Sequence, residues 1–396
     1  MATVTMQPIQ PIKLVYYCQH IWGVGHFFRA LEICRALAGN DVILVTGGPS
    51  VNVALPPHVR EFHLPGLMTD RNYDGLFPVD GDRSLAAVKS VRRRMLHELF
   101  RREAPAVTVI ELYPFGRKAF RFELDPVLED IRKGSLPPSR VYCSLRDILV
   151  EKSDSTAYEE RVLRTLNRWF DGLLVHADPN LVRLDDTFSR VADLKLPVIY
   201  TGYVAQVPPP GTGDAQASRP VGARDEFRIV ASAGGGKAGI VLLEPLLECV
   251  AAFDFGRKMR LQVFTGPFMP EEEFARLQSF DGDRISVQRF SGEFLSLLAG
   301  ADLSVSMAGY NTCMNILATG VPALVWPYPG DREQGLRARK LADRGALQVL
   351  AESDLQPAKM AAAIGSCLQN TASPKSPVDL NGASRTAELI RGSGIT

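Results

Sequence analysis

The sequence predicts an α/β protein of two Rossmann-like domains whose parallel sheets face a central cleft. Three observations carry this expectation. Short apolar strands alternate with amphipathic helices through both halves, the pattern of a parallel sheet covered on both faces. A glycine-rich turn follows the first strand of each half, at 23–25 and at 234–236. Between the halves, residues 206–226 (QVPPPGTGDAQASRPVGARDE) are dominated by Pro, Gly, Ala and Ser and lose all apolar periodicity, as a linker does. A chain of 396 residues is too long for one ordinary core, and its 46% of hydrophobic residues suffices for two. The expected division is 1–205, a linker 206–226, a second domain 227–380, and a closing helical segment 381–396 free to pack back toward the first domain.

Each element has its own signal. Residues 13–19 (KLVYYCQ) form a β-branched and aromatic run, read as a buried strand. After the turn, Phe28, Leu31, Ile33, Cys34 and Leu37 recur at helical spacing up to Gly39-Asn40. Further strands are expected at 41–47, 106–111, 140–144, 172–176 and 197–201, with helices at 84–102, 126–133 and 156–170. The second half restarts with strand 227–232 and helix 241–253. Strands 261–265, 285–288 and 303–306 then alternate with helices 271–277 and 292–298. The stretch Ser306–Pro327 reads as a strand end, a glycine turn, a helix, a Gly-Val-Pro stop and a second buried strand. Residues 370–380 form another Pro/Ser break before a last helix at 383–390.

Composition narrows the function. A net charge of +1 gives no global attraction to nucleic acid, and no zinc spacing or aromatic–basic pattern suggests it. Six scattered cysteines without a CxxC read as reduced thiols, and a cytoplasmic location is expected. No signal peptide is legible in residues 1–12, and no apolar run approaches the ~20 residues of a spanning helix. Residues 84–103 are basic and amphipathic, with Leu85, Val88, Val91, Met95 and Leu99 as the stripe and Arg92, Arg93, Arg94, Arg101 and Arg102 among the cations. Such a helix is a solvated surface helix or a peripheral membrane contact.

The chemistry is expected at strand carboxyl ends, where open α/β sheets hold ligands. Gly309-Tyr310-Asn311-Thr312 opens a helix directly after a strand, so backbone N–H groups and the helix dipole favour an anion such as a phosphate. Gly234, Gly235 and Gly236, followed by Lys237, let the backbone approach a ligand and form an anion nest, although the spacing is not that of a Walker loop. Asn311 and Asn315 share a helical face, and Asp331, Arg332, Glu333 and Gln334 open the next helix with acceptors for sugar hydroxyls. The backbone around Phe290 ends a strand where a planar base would be read. A diphosphate-binding helix flanked by polar groups is what a nucleotide-sugar enzyme needs. In the first half, Gly23-Val-Gly25-His26 places His26 in the first turn of a helix, where the dipole keeps imidazole neutral and able to accept a proton. Glu111 with Arg117, and Arg146 with Asp147, end two further strands. They read either as a polar acceptor site with a base or as structural ion pairs.

GVGHFFRAL (23–31), ELYPFGRKAFRFEL (111–124), SLRDILV (144–150) and SMAGYNT (306–312), in this order, resemble a bacterial group of MurG-like glycosyltransferases of the GT-B fold, over nearly the whole chain. The resemblance implies inverting transfer of a sugar from a nucleotide diphosphate donor, usually UDP-linked, to an acceptor hydroxyl. No cofactor or metal is implied; the UDP-sugar is a co-substrate. The donor diphosphate would meet Gly234–Lys237 and the turn of Met307, Gly309, Tyr310, Asn311 and Thr312. The base would meet Phe290, and the sugar Asp331–Gln334. Gly23, Gly25, Arg117 and Arg146 would line the acceptor side, with His26, Glu111 or Asp147 as the base. Where the lipid II-forming enzyme has a glutamate for the ribose hydroxyls, this chain has Asn315. Arginine three residues after the histidine, here Arg29, also occurs in MurG-like hydrolases, so water in place of the acceptor is a second reading. A non-catalytic sugar-nucleotide sensor is a third.

Overall fold

Alternation of strand and helix resolves into two compact units in a computed structural model. It describes residues 11–20, 25–51, 53–69, 75–149, 155–208, 226–236, 238–369 and 378–393. Unit 1 comprises Met1–Val204 with Asn381–Thr396, and unit 2 comprises Ala205–Leu380.

Unit 1 is a seven-stranded sheet whose described pairings are all parallel. Its strands are β1 (Lys13–Tyr17), β2 (Asp41–Thr46), β3 (Val59–His63), β6 (Val107–Glu111), β7 (Arg140–Arg146), β8 (Gly172–His176) and β9 (Val198–Tyr200). The order is β3-β2-β1-β6-β7-β8-β9, and β4 (Leu67–Thr69) and β5 (Leu76–Pro78) form a separate antiparallel hairpin. The connections from β1 and from β6 run to opposite sides, so the β1/β6 boundary is the topological switch point, where such sheets hold ligands. The helices are α1 (Gly25–Ala36), α2 (Leu85–Glu103), α3 (Arg121–Lys133) and α4 (Ser155–Trp169). The closing helix α11 (Gly382–Ser393) packs on α1, with Arg391 Nη2 donating to Ala36 O at 2.6 Å. That docking requires Gly382: a Cβ there would lie 2.3 Å from Gly202 O.

Residues 14–17 of β1 are at most 1% exposed, so both faces of the strand are core. Alternation sends the two tyrosines to opposite faces. Tyr16 meets Glu111 and Ser144, while Tyr17 donates to Glu123, which also pairs with Arg92. Arg92 and Glu123 are both fully buried, and Arg92 Nη1 also donates to Gly47 O and Pro65 O. The expected stripe of α2 is therefore corrected: the buried face is Val88, Arg92, Leu96, Leu99 and Phe100, with Arg92 inside rather than on the basic surface. Helix α3 starts at Arg121, not at Pro126, because a 3-10 turn at Lys118–Phe120 starts the winding and Pro126 sits inside the helix. Strand β3 carries only one buried residue, Val59, so it lacked an apolar run to reveal it.

Unit 2 holds β10 (Glu226–Ser232), β11 (Lys258–Phe264), β12 (Ile285–Gln288), β13 (Leu303–Met307), β14 (Ala323–Trp326) and β15 (Gln348–Val349). They pair in parallel in the order β12-β11-β10-β13-β14-β15, which makes β10/β13 the switch point. The helices are α5 (Ile240–Ala252), α6 (Glu271–Gln278), α7 (Phe294–Ala299), α8 (Tyr310–Thr319), α9 (Arg332–Ala342) and α10 (Pro357–Gln369). The expected linker 206–226 is described only at its ends: residues 206–208 belong to unit 2, Glu226 already opens β10, and 209–225 lie outside the described residues.

Candidate active site

The switch point of unit 1 joins His26, from the first turn of α1, to Glu111, the last residue of β6. His26 Nδ1 lies 2.9 Å from Glu111 Oε1. The same carboxylate oxygen accepts from Arg29 Nη2, one helical turn after His26. The other oxygen, Oε2, accepts from Ser144 Oγ at 2.6 Å and from Tyr16 Oη at 3.0 Å. Glu111 is 0% exposed, and a buried carboxylate survives only when its lone pairs are used in this way. Burial works against its charge, but the Arg29 cation and the donors around it hold the carboxyl well below the usual range.

This geometry fixes the histidine tautomer. Arg29 Nη2 also lies 3.0 Å from Nδ1, but it makes its closer contact to Glu111 Oε1 and gives its proton there. Glu111 is ionised and can only accept, so Nδ1 carries the proton and Nε2 keeps a lone pair. The ring is 15% exposed, so it reaches solvent while its partner does not. Burial, with Arg117 and Arg29 nearby, pushes the imidazole down to about 3, against the hydrogen bond to Glu111. His26 is thus neutral at pH 7, for a stronger reason than the helix dipole.

The other residues of this unit fall out differently. Arg117 Nε donates to Gln19 O at 2.7 Å, and the arginine paired with Glu111 is Arg29 of α1. Arg146 ends β7 in register with His176, and Asp147, 0% exposed, lies in the turn beyond it. Gly25 opens α1, while Gly23 lies outside the described residues. Sequence reading missed Tyr16, His176 and Thr201 as members of this site. Each looks like an ordinary buried strand residue, and only the sheet order reveals the association.

In unit 2 two glycine turns meet at one hydroxyl. A Cβ built on Gly234 would lie 4.0 Å from Thr312 Oγ1, and one on Gly309 would lie 3.9 Å from it. Gly309 is the N-cap of α8 and offers no side-chain cap to the first-turn amides. Gly234 and Gly235 are exposed, and Gly309 and Asn311 are half-buried, so the turn is open to solvent. Gly236 is buried, and Lys237 lies outside the described residues. The turn is held from behind by Gly266, at φ +86, where a Cβ would lie 2.4 Å from Gly234 O. Below it, Ser306 Oγ accepts from Ser232 N at 3.1 Å, tying β10 to β13.

Around this turn, Met307 and Tyr310 are buried. Phe290 is 56% exposed, an aromatic face outside the core, and Arg289 beside it donates to Met269 O at 2.8 Å. Asn315 is buried, and its Nδ2 donates to Gln206 Oε1 at 3.0 Å. Asp331 caps α9: its Oδ1 accepts from Gln334 N at 3.2 Å and its Oδ2 from Gln334 Nε2 at 3.1 Å. Glu333 is buried and Arg332 exposed. Among the described residues, no group of three His, Cys, Asp or Glu side chains could hold a metal ion. No described helix is long and apolar enough to cross a membrane.

Two parallel-sheet units, each with its polar residues at the switch point, define a GT-B protein, and solved structures share that fold. Acinetobacter baumannii MurG superposes with a TM-score of 0.57 at 16% identity, over 96% of this chain and 99% of that one. The glycotransferase of kitacinnamycin gives 0.58 at 16% identity, over 97% and 99%. More particularly, residues 234–390 match the glycosyltransferase family 28 C-terminal domain. The UDP-N-acetylglucosamine--N-acetylmuramyl-(pentapeptide) pyrophosphoryl-undecaprenol N-acetylglucosamine transferase of Desulforudis audaxviator is 29% identical over 175 residues, 42% of this chain and 47% of its own length. The enzyme of the same name from Haemophilus influenzae strain PittEE is 28% identical over 174 residues, 42% and 49%. The chain spans about half the length of the curated relatives it matches.

Proposed function

We propose that the protein is an inverting glycosyltransferase that moves a sugar from a nucleotide diphosphate donor, a UDP-sugar, to an acceptor hydroxyl without a metal. The observation that carries this reading is the solvent-reaching imidazole of His26 held by the buried carboxylate of Glu111.

His26 Nε2 accepts the proton of the acceptor hydroxyl as its oxygen attacks the anomeric carbon. Glu111 holds the ring in the productive tautomer and stabilises the imidazolium that forms. A base positioned in this way contributes about 10²–10⁴ in rate. In unit 2 the leaving diphosphate binds at the N-terminus of α8, against Thr312 and the turn at 234–236, where peptide dipoles offset its charge. Phe290 offers its exposed face to the base. The family 28 match over residues 234–390 supports placing the donor on this unit.

A thermal-shift screen of nucleotides and nucleotide sugars tests the donor. A specific donor at 100 times its Kd adds about 2.7 kcal/mol of stability. A flat response to every nucleotide diphosphate rules the reading out. Product analysis with the best donor then separates transfer from hydrolysis: free sugar released at full rate without any acceptor identifies water as the acceptor.

A further inference from the structure

Behind the His26–Glu111 pair the polar contacts continue through the interior of the sheet. Ser144 Oγ, 2.6 Å from Glu111 Oε2, also lies 2.9 Å from His176 Nε2. His176 Nδ1 lies 2.8 Å from Thr201 Oγ1. All four side chains, Glu111, Ser144, His176 and Thr201, are 0% exposed. The parallel register explains the run. Glu111 and Ser144 are direct partners on β6 and β7, whereas Ser144 pairs with Leu174 and reaches His176 two residues further along the same face of β8. Tyr16 reaches Glu111 by the same diagonal step from its partner Val109.

Proton counting gives this chain a direction. At 2.6 Å the Ser144–Glu111 contact has the length of a hydroxyl donating to a carboxylate. Serine has one proton, so with that proton on Glu111 the contact to His176 requires the ring to donate from Nε2. A neutral ring that donates from Nε2 has a bare Nδ1, which accepts from Thr201 Oγ1 at 2.8 Å, a shorter contact than that hydroxyl's alternatives, Gly202 O at 3.1 Å and Val175 O at 3.4 Å. Burial keeps His176 neutral, lowering it to about 3. The donors then run from Thr201 to His176 to Ser144 to Glu111, and every proton points toward the carboxylate.

We propose that His176 is a positioning residue: held as the Nε2–H tautomer by Thr201, it commits the Ser144 hydroxyl to Glu111 and thereby sets the strength with which Glu111 holds His26. The groups facing this run are Tyr16 on β1 and Cys18 just after it, Arg29 and Cys34 on α1, Arg117, and Cys143 on β7. The cations Arg29 and Arg117 are unchanged by substitution at position 176. When His176 is lost, Ser144 Oγ keeps only the Tyr16 hydroxyl, 2.8 Å away, as a donor. Its own O–H is then a weaker donor to Glu111, and the carboxylate draws harder on His26 Nδ1–H. His26 becomes more basic.

The test uses the full chain labelled with 15N-histidine. Ring-nitrogen correlation spectra are expected to show Nδ1–H at His26 and Nε2–H at His176. In His176→Leu the His26 Nδ1–H proton signal moves downfield. His176→Gln keeps an N–H donor at the Nε2 position and restores it. The activity arm rests on the transferase reading: in His176→Leu the acidic limb of kcat shifts up by about one pH unit, with the donor KM unchanged, and His176→Gln returns it. An Nδ1–H tautomer at His176 in the wild type overturns the proposal. So does a His26 signal that stays in place in folded His176→Leu. If His176→Leu does not fold, the wild-type tautomer and His176→Gln still decide the matter. The expected tautomers in a protein that turns over no nucleotide sugar uphold the relay and remove only the transferase reading.

Discussion

Arg29 and Glu111 form an ion pair inside unit 1, and the carboxylate oxygen that receives the guanidinium also receives the His26 ring. One oxygen therefore serves charge balance and tautomer control together. Removing the arginine leaves a buried charge, while removing the histidine leaves the ion pair whole. The two substitutions should separate stability from activity.

His26→Ala is expected to lower turnover by about 10²–10⁴ while leaving the fold in place. Steady-state kinetics beside a denaturant melt check this, and near-wild-type turnover would remove His26 from the mechanism.

Arg29→Ala is expected to destabilise unit 1 by about 3–5 kcal/mol, because Glu111 then stays buried without its cation. Urea unfolding at pH 7 measures the loss. A change under 1 kcal/mol would mean that the carboxylate is satisfied without it.

Acid should weaken unit 1 well above the pH at which carboxylates titrate. His26 and His176 are each lowered to about 3 in the folded protein, while the unfolded chain takes up their protons near 6.5. Between those values the unfolded state binds more protons, so stability falls as pH drops. Glu111, depressed in the folded state, adds stability above about 4.3 that is lost only as pH falls further. The urea midpoint is therefore expected to be lower at pH 5 than at pH 7, and an unchanged midpoint contradicts the two neutral rings.

Gly266→Ala is expected to weaken nucleotide binding by roughly tenfold, about 1.4 kcal/mol. A left-handed φ of +86 and a Cβ 2.4 Å from Gly234 O force the 234–236 turn to move. Calorimetric titration with UDP reads the loss, and a wild-type Kd would separate that turn from the donor.

Thr312→Val keeps the shape of the helix start and removes the hydroxyl that both glycine turns face. A lost hydrogen bond of about 0.5–1.5 kcal/mol corresponds to a rise in Kd for UDP of roughly 2–13-fold. Equal affinity in the two proteins would place the diphosphate away from this hydroxyl.

Much of the scaffold was readable beforehand. Runs such as 14–17 and 303–307 are buried along their length, and strands covered on both faces read as mostly apolar runs. Strand β3 and the hairpin β4/β5 were not readable, because short, partly exposed edge elements need no continuous apolar run. The inward turn of Arg92 was hidden for a different reason. Spacing along α2 cannot show that Glu123, 31 residues away, waits on the next helix to neutralise it.

Local order along the chain determined the strands, the glycine turns and the seat of His26 at a helix start, since each depends on neighbours a few residues apart. Tertiary structure alone decided that Arg29 neutralises Glu111, that Asn315 is held by Gln206, and that Tyr16, Ser144 and His176 share one buried run. Those associations depend on strand order and register, which bring side chains 32 to 128 residues apart into hydrogen-bond reach. No periodicity within a single strand records which strand will lie beside it.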